Sequence, residues 1–109
     1  MANAYKILGQ SAPSAAADTN VYTVPAATES VISTIIVANR AATAGTFRIA
    51  LRPDGGAIAN SHYIAYDVPI AANDSTTLTL GITLNAADVV TVQCSSADMT
   101  VSIFGTEIS

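Results

Sequence analysis

Charge is scarce in this 109-residue sequence. Four Lys or Arg and eight Asp or Glu make up 11% of the chain, against about 25% in an ordinary soluble domain. A single folded domain of this mass has roughly 5,700 Å² of accessible surface, which leaves about 470 Å² for each charged side chain. Ser, Thr and Asn must solvate the remainder, or a partner must cover it, because monomers rarely leave large apolar patches bare. The balance favours assembly over the other reading, a Thr/Ser-rich monomer with small Ala side chains at its surface. The net charge of −4 argues against sequence-independent binding of nucleic acid, which needs clustered cations to release counterions. Arg40, Arg48 and Arg52 fall in one stretch, but Asp54 follows and no aromatic series accompanies them. They suit a local acidic partner better than a phosphate groove.

Other absences remove whole classes of chemistry. There is one cysteine, Cys94, so no intrachain disulfide forms. It lies in Val89-Val90-Thr91-Val92-Gln93-Cys94, where a buried thiol acts as a small hydrophobe, as expected in a reducing compartment. Zinc needs clustered Cys and His, and the chain has one of each, Cys94 and His62. Asp54-Gly55-Gly56 and Asn73-Asp74-Ser75 lack the spacing of a calcium loop. No Gly-x-Ser-x-Gly elbow exposes a nucleophile, and Gly55-Gly56 opens no helix to cradle a phosphate. His62, at the start of a strand, reads as a surface or edge residue. No catalytic residue, metal or cofactor is expected. A basic segment followed by an apolar stretch, the mark of a secretory signal, is missing from the N-terminus. No apolar run approaches the ~20 residues of a membrane span, so no membrane partner is expected.

What is present is strand periodicity. Leu78, Leu80, Ile82 and Leu84 alternate with Thr79, Gly81 and Thr83, the period of two of a half-buried strand. Gly81 within it marks a bulge or bend. Phe47, Ile49 and Leu51 alternate in the same way, as do Val90, Val92 and Cys94, and Met99, Val101 and Ile103. Val31 to Val37 is a denser β-branched run, expected to be buried on both sides. Tyr5 to Leu8, Asn20 to Val24 and Tyr63 to Val68 complete about eight strands. Arg52-Pro53-Asp54-Gly55-Gly56, Asn73-Asp74 and Asn85-Ala86-Ala87-Asp88 are turns by composition. The fold class is therefore all-β, a single β-sandwich or jelly-roll. Tyr22-Thr23-Val24-Pro25 and Tyr66-Asp67-Val68-Pro69 read as one reused corner, with each proline at a strand end or edge.

Ser11 to Thr19 is small, polar and nearly free of bulky residues, which cannot bury enough surface to fold alone. It reads either as a surface loop or as the tether of an extended arm that adds its strand to a neighbour's sheet. Residues 1–19 are thus set apart as a strand or arm plus linker, and residues 20–109 as the sandwich. Tyr5, Ile7 and Leu8 on that strand, with Arg48 and Arg52, are the expected partner-binding residues. The four tyrosines are expected to be core or interface anchors.

Several segments carry a family resemblance. They are Val21-Tyr22-Thr23-Val24-Pro25, Val31-Ile32-Ser33-Thr34-Ile35-Ile36-Val37-Ala38-Asn39-Arg40 and Thr46-Phe47-Arg48-Ile49-Ala50. His62-Tyr63-Ile64-Ala65-Tyr66-Asp67, Thr79-Leu80-Gly81-Ile82-Thr83-Leu84 and Phe104-Gly105-Thr106-Glu107-Ile108 continue it. In this order, over nearly the whole chain, they resemble a group of small virion proteins of tailed bacteriophages. The resemblance implies a structural role in the virion and brings no catalytic residues. With the composition, it leads to the expectation of a capsid decoration (cement) protein, assembled in the host cytoplasm and bound between major capsid subunits. A homo-oligomer, with a trimer favoured, would place it on a local symmetry axis. The alternative is a tail, neck or baseplate component that binds a host-surface glycan.

Overall fold

The computed structural model describes residues 3–109. Eight strands follow one another: β1 (Asn3–Ser11), β2 (Thr19–Thr23), β3 (Glu29–Asn39), β4 (Gly45–Arg52), β5 (Tyr63–Ile70), β6 (Ser75–Leu84), β7 (Val89–Cys94) and β8 (Met99–Ile108). Single 3₁₀ turns at Pro53–Gly55 and Asn60–His62 lie between β4 and β5. β1 pairs with β8, β2 with β7, β3 with β6 and β4 with β5, all antiparallel. Each strand is thus matched to its mirror position from the other end, and the chain is one long antiparallel ribbon. Further pairing of β3 with β8 and of β4 with β7 rolls that ribbon up. The result is two four-stranded sheets, in the orders β1-β8-β3-β6 and β2-β7-β4-β5. This is a jelly-roll sandwich, within the all-β class that the alternation and turn spacing point to.

The inner faces supply the core. Ile32, Ile35, Val37, Val101 and Ile103 from the first sheet meet Phe47, Ile49, Val90, Val92 and Cys94 from the second. Each fully buried aliphatic or aromatic side chain contributes roughly 1.5–3 kcal/mol. Parity is reset by bulges. The β3 register shifts between Ile32 and Thr34 against both neighbours, opposite Thr79 to Ile82 on β6. Gly81 lies inside that shift, as its place in the pattern foretold. Pro69 sits on β5, an edge strand, the position in a sheet where proline is tolerated.

Two expectations need correction. Val31 to Val37 is not buried on both sides: Ile32, Ile35 and Val37 face the core, while Val31 and Ile36 are only half-buried on the outer face. The N-terminal strand is not a detached arm either. β1 pairs with its own β8 from Asn3 to Ser11 and completes the open edge of the sheet. A Cβ at Gly9 would strike the Val21 carbonyl, so glycine lets β1 lean onto β2 at this corner. The following segment is pinned rather than loose. Pro13 is buried, and the Ala16 N–H donates to the Cys94 carbonyl at 2.7 Å. Residues 3–109 therefore form one sandwich with no division at residue 19. Met1 and Ala2, also assigned to the arm, lie outside the described residues.

Four crossings between the sheets turn on a residue with left-handed backbone: Ala16, Ala27, Asn73 and Ala87, at φ of 56°, 54°, 55° and 71°. Three are alanines, which have no side-chain bond to offset the unfavourable conformation. Tertiary hydrogen bonds hold three of them in place, Ala16 by the bond to Cys94 already described. Ala87 N–H donates to the Val24 carbonyl and Asn73 N–H to the Ala41 carbonyl, both at 3.0 Å.

Asn39, at the end of β3, is buried and fully satisfied. Its amide donates to the carbonyls of Thr43 and Ala71, at 3.0 and 3.2 Å, and its oxygen accepts from the Ala41 N–H at 3.0 Å. One side chain thereby fixes the β3–β4 loop to the β5–β6 corner. Asn39→Ala leaves three backbone groups short of a partner, and an unmade buried hydrogen bond is costly. Urea unfolding is expected to show a loss of about 2–3 kcal/mol, whereas Gln10→Ala, which removes a surface bond to Ser102, should cost less than about 0.5 kcal/mol.

Candidate functional site

The two outer faces differ in chemistry. On the β1-β8-β3-β6 sheet, cross-strand register brings outward residues into rows. Ile7 lies opposite Phe104 and Tyr5 opposite Thr106 on β8. Phe104 lies in turn opposite Thr34, and Thr106 opposite Val31. Beyond them, Ile36, Thr34 and Val31 face Thr77, Thr79 and Thr83 of β6. The face is an apolar stripe, Tyr5, Ile7, Phe104, Val31 and Ile36, edged with threonine. Tyr5 is 80% exposed and Ile7 52%. Among the described residues in this outward register the sole charge is Glu29, at the start of β3.

The charges lie elsewhere. Arg40, Asp54, Asp74, Asp88 and Asp98 sit in turns or at strand ends, several tied into those turns. The Asp88 carboxylate, for example, accepts the N–H groups of Asp54 and Asn85, at 2.9 and 2.8 Å. Arg48, Asp67 and Arg52 are on the β2-β7-β4-β5 sheet. Arg48 Nε donates to Asp67 Oδ1 at 2.6 Å and Nη2 to Oδ2 at 3.3 Å. The guanidinium beside Asp67 holds that carboxyl below the usual carboxylate range, while the same hydrogen bond raises Arg48. Arg52 is consumed inside its own chain. Its guanidinium donates to the Gly55 and Gly56 carbonyls, at 2.7 and 2.8 Å, and to Asn20 Oδ1 at 3.1 Å.

The five residues singled out as partner-binding therefore do not share one surface. Tyr5 and Ile7 lie together on the uncharged face. Leu8 follows a register shift between Ile7 and Gly9 and packs against the core. Arg48 and Arg52 are on the opposite sheet. Val31, Ile36 and Phe104 complete the stripe and were missed. The signal for Val31 and Ile36 was the β-branched density of residues 31–37, which implied cover on a second face; Phe104 had none. Of the tyrosines, Tyr22 is core and Tyr63 half-buried, while Tyr5 and Tyr66 stand out from opposite sheets.

Lys6, Glu107, Tyr22 and Ser30 form a polar chain behind the stripe. Lys6 Nζ contacts Glu107 Oε1 at 2.6 Å. The Tyr22 hydroxyl donates to Glu107 Oε2 at 2.6 Å, so at its 2.6 Å contact with Ser30 the serine must be the donor. Burial, reinforced by Glu107, pushes the Tyr22 hydroxyl up to about 12, so it keeps this proton across the working pH range. Lys6, then Tyr22, holds the Glu107 carboxyl below its usual range. Cys94 is fully buried and its thiol is pushed up to about 11 by that burial, so it stays protonated and packs as an apolar group. His62 Nδ1 accepts the Ala59 N–H at 3.1 Å and closes the turn before β5.

Comparison with protein-family models and with curated protein sequences gives no match.

A carboxylate depressed on folding adds stability that is complete above its unfolded value of about 4.3 and is lost as pH falls through the lower folded value. Glu107 acts in this direction. Thermal melting of the wild type is therefore expected to drop more steeply than that of Glu107→Gln between pH 5 and pH 3. Parallel curves would show that the pair contributes nothing.

Proposed function

We propose that this chain is a structural protein of a phage virion, a capsid decoration (cement) protein that docks between major capsid subunits through the outer face of the β1-β8-β3-β6 sheet. One observation carries the reading. The β3 sequence has the composition of a strand covered on both faces, yet its outer residues Val31 and Ile36 face solvent beside Phe104, Tyr5 and Ile7. A stripe of this kind free of charge is what a docking surface requires. The molecule measures 45 × 27 × 20 Å, so a broad face has room for a standard contact of about 800 Å² per partner. Jelly-rolls recur among capsid and lectin domains. Because a fold does not assign a function, the resemblance to small tailed-phage virion proteins supplies the virion context. A closed homo-oligomer, with a trimer favoured, suits a shell axis. No catalytic step is assigned to the chain.

A tail, neck or baseplate position is the second reading, favoured by the exposed Tyr66 beside Arg48 on the opposite face. Separated heads and tails, each mixed with the recombinant chain and sedimented, distinguish the two. The chain is expected to pellet with heads, and as strongly at 0.5 M salt as at 0.1 M, since an uncharged contact is barely screened. Tyr5→Glu/Ile7→Glu alters two exposed side chains, so its melting temperature should be unchanged while binding weakens at least tenfold, or about 1.4 kcal/mol. Pelleting with tails alone, or full binding by the double variant, would overturn the proposal.

A further inference from the structure

The outer face of the β2-β7-β4-β5 sheet bears a cluster that docking through the other face leaves free. Here β4 and β5 fall out of step. Phe47 lies opposite Val68 and Ile49 opposite Ala65, so Arg48 alone faces both Tyr66 and Asp67. Such a β-bulge turns two successive side chains to one side, and bulges concentrate beside functional sites. Asp67 takes the required left-handed backbone at φ 51°, a conformation that favours glycine. Glycine would relieve the strain, but it would remove the carboxylate that Arg48 holds.

Arg48 secures both residues of the bulge. Its guanidinium lies 4.1 Å from the Tyr66 ring centroid, and its forked bond fixes Asp67. On the neighbouring side the Tyr63 ring meets Tyr66 edge to face, with centroids 4.9 Å apart. Tyr66 is thereby held upright while remaining 56% exposed. An open cleft of about 350 Å³ is lined by Asn60, Tyr63 and Tyr66. A second, of about 320 Å³, is bordered by Arg48, Asp67 and Gln93. Each falls in the size range of small-molecule sites; Tyr66 borders the first, and Arg48, stacked on it, borders the second.

A rigid aromatic face flanked by amide, carboxylate and guanidinium groups suits a ligand with apolar C–H faces and a rim of hydroxyls. The Arg48 charge is already neutralised by Asp67, and the chain carries a net charge of −4, so an anionic ligand gains little here. We propose that this face binds neutral oligosaccharides of two or more hexose rings, packed against the exposed flank of the Tyr63–Tyr66 pair and held at their hydroxyls by Asn60, Asp67 and Arg48. The site does not depend on where in a particle the chain is anchored.

Saturation-transfer NMR on the full chain, with cellotriose, maltotriose, mannotriose and chitotriose as probes, tests it. At least one neutral trisaccharide should receive saturation from the protein. Tyr66→Ala should then weaken its binding at least tenfold, Tyr66→Phe no more than threefold, and Tyr5→Ala not at all. Tyr66 is exposed, so circular dichroism of Tyr66→Ala should match the wild type. Absence of transfer to all four probes, undiminished binding by Tyr66→Ala, or stronger binding of an acidic trisaccharide would overturn the proposal. Sedimentation with heads should be the same for Tyr66→Ala as for wild type, so failure here and failure of the docking reading are separable.

Discussion

The Tyr22 hydroxyl is the point on which closure of the roll depends. β2 carries it from the second sheet to Ser30 of β3 and Glu107 of β8 in the first, and Glu107 in turn holds Lys6 of β1. Four strands from both sheets converge on one chain of hydrogen bonds. The ribbon topology explains why this matters. The first and last strands meet only after everything between them has been laid down, and such long-range pairing repays its loop-closure cost late. The Lys6–Glu107 contact reinforces that final pairing, and the forced donor direction, from Ser30 to Tyr22 to Glu107, leaves each member one arrangement. At Gly105, next to this chain, any side chain would collide with the Val31 carbonyl. β8 and β3 therefore approach as closely as their backbones permit, just where the polar chain crosses between the sheets.

The same economy governs charge. With so few ionic groups, most are used to fix turns, to pair β1 with β8, or to hold a bulge on the second sheet. Their scarcity on the outer face of the first sheet, where Glu29 alone stands among the described residues, is what makes that face distinct. Threonine takes their place along β6. Its hydroxyl solvates an edge strand that has neither proline nor charge, while its methyl and β-branch favour the extended backbone. Such an edge is ordinarily a hazard, since unpaired backbone groups invite another strand. The edges of the second sheet are guarded differently: β5 by Pro69 and a bulge, β2 by having only five residues. The protection is thus concentrated on one sheet and the uncharged surface on the other.

Much of the fold was legible because alternation is a local signal. Residues 47–51 and 78–84 announced half-buried strands, Gly81 announced a shift of register, and Pro69 announced an edge. Side-chain facing was less legible, because a bulge reverses parity without leaving a reliable mark in the sequence. The shift between Ile7 and Gly9 set Gly9, not Leu8, opposite the buried Ile103, so the facing of every later β1 residue is reversed. The bulge opposite Arg48 placed Tyr66 and Asp67 on one side, where strict alternation would have separated them. Ala16 and Ala87 at left-handed turns were equally hidden, since hydrogen bonds to segments distant in sequence, at Cys94 and Val24, hold them there. Which sheet a strand joins could not be read at all. Asn3 pairs with Ile108, and nothing local to either residue encodes the other.

Burial on one face and exposure on the other are usually complementary in a sandwich strand, with apolar residues inward and polar residues outward. β3 breaks that rule: its outer positions are as β-branched as its inner ones. Solubility alone would place Thr or Lys at Val31 and Ile36, and the neighbouring β6 does place threonine at Thr77, Thr79 and Thr83. Intrinsic strand propensity does not explain the difference either, because threonine and valine both favour strands. What separates the two strands is position. β3 lies inside the sheet and β6 at its edge, so the apolar residues run from β3 across Phe104 to Tyr5 and Ile7 on β1, and the hydroxyls line the β6 margin. An apolar surface bordered by polar residues is the arrangement of a protein interface. The thinnest dimension of the molecule is 20 Å, so a partner seated on that surface would leave Tyr66 and its bulge on the far side, facing away.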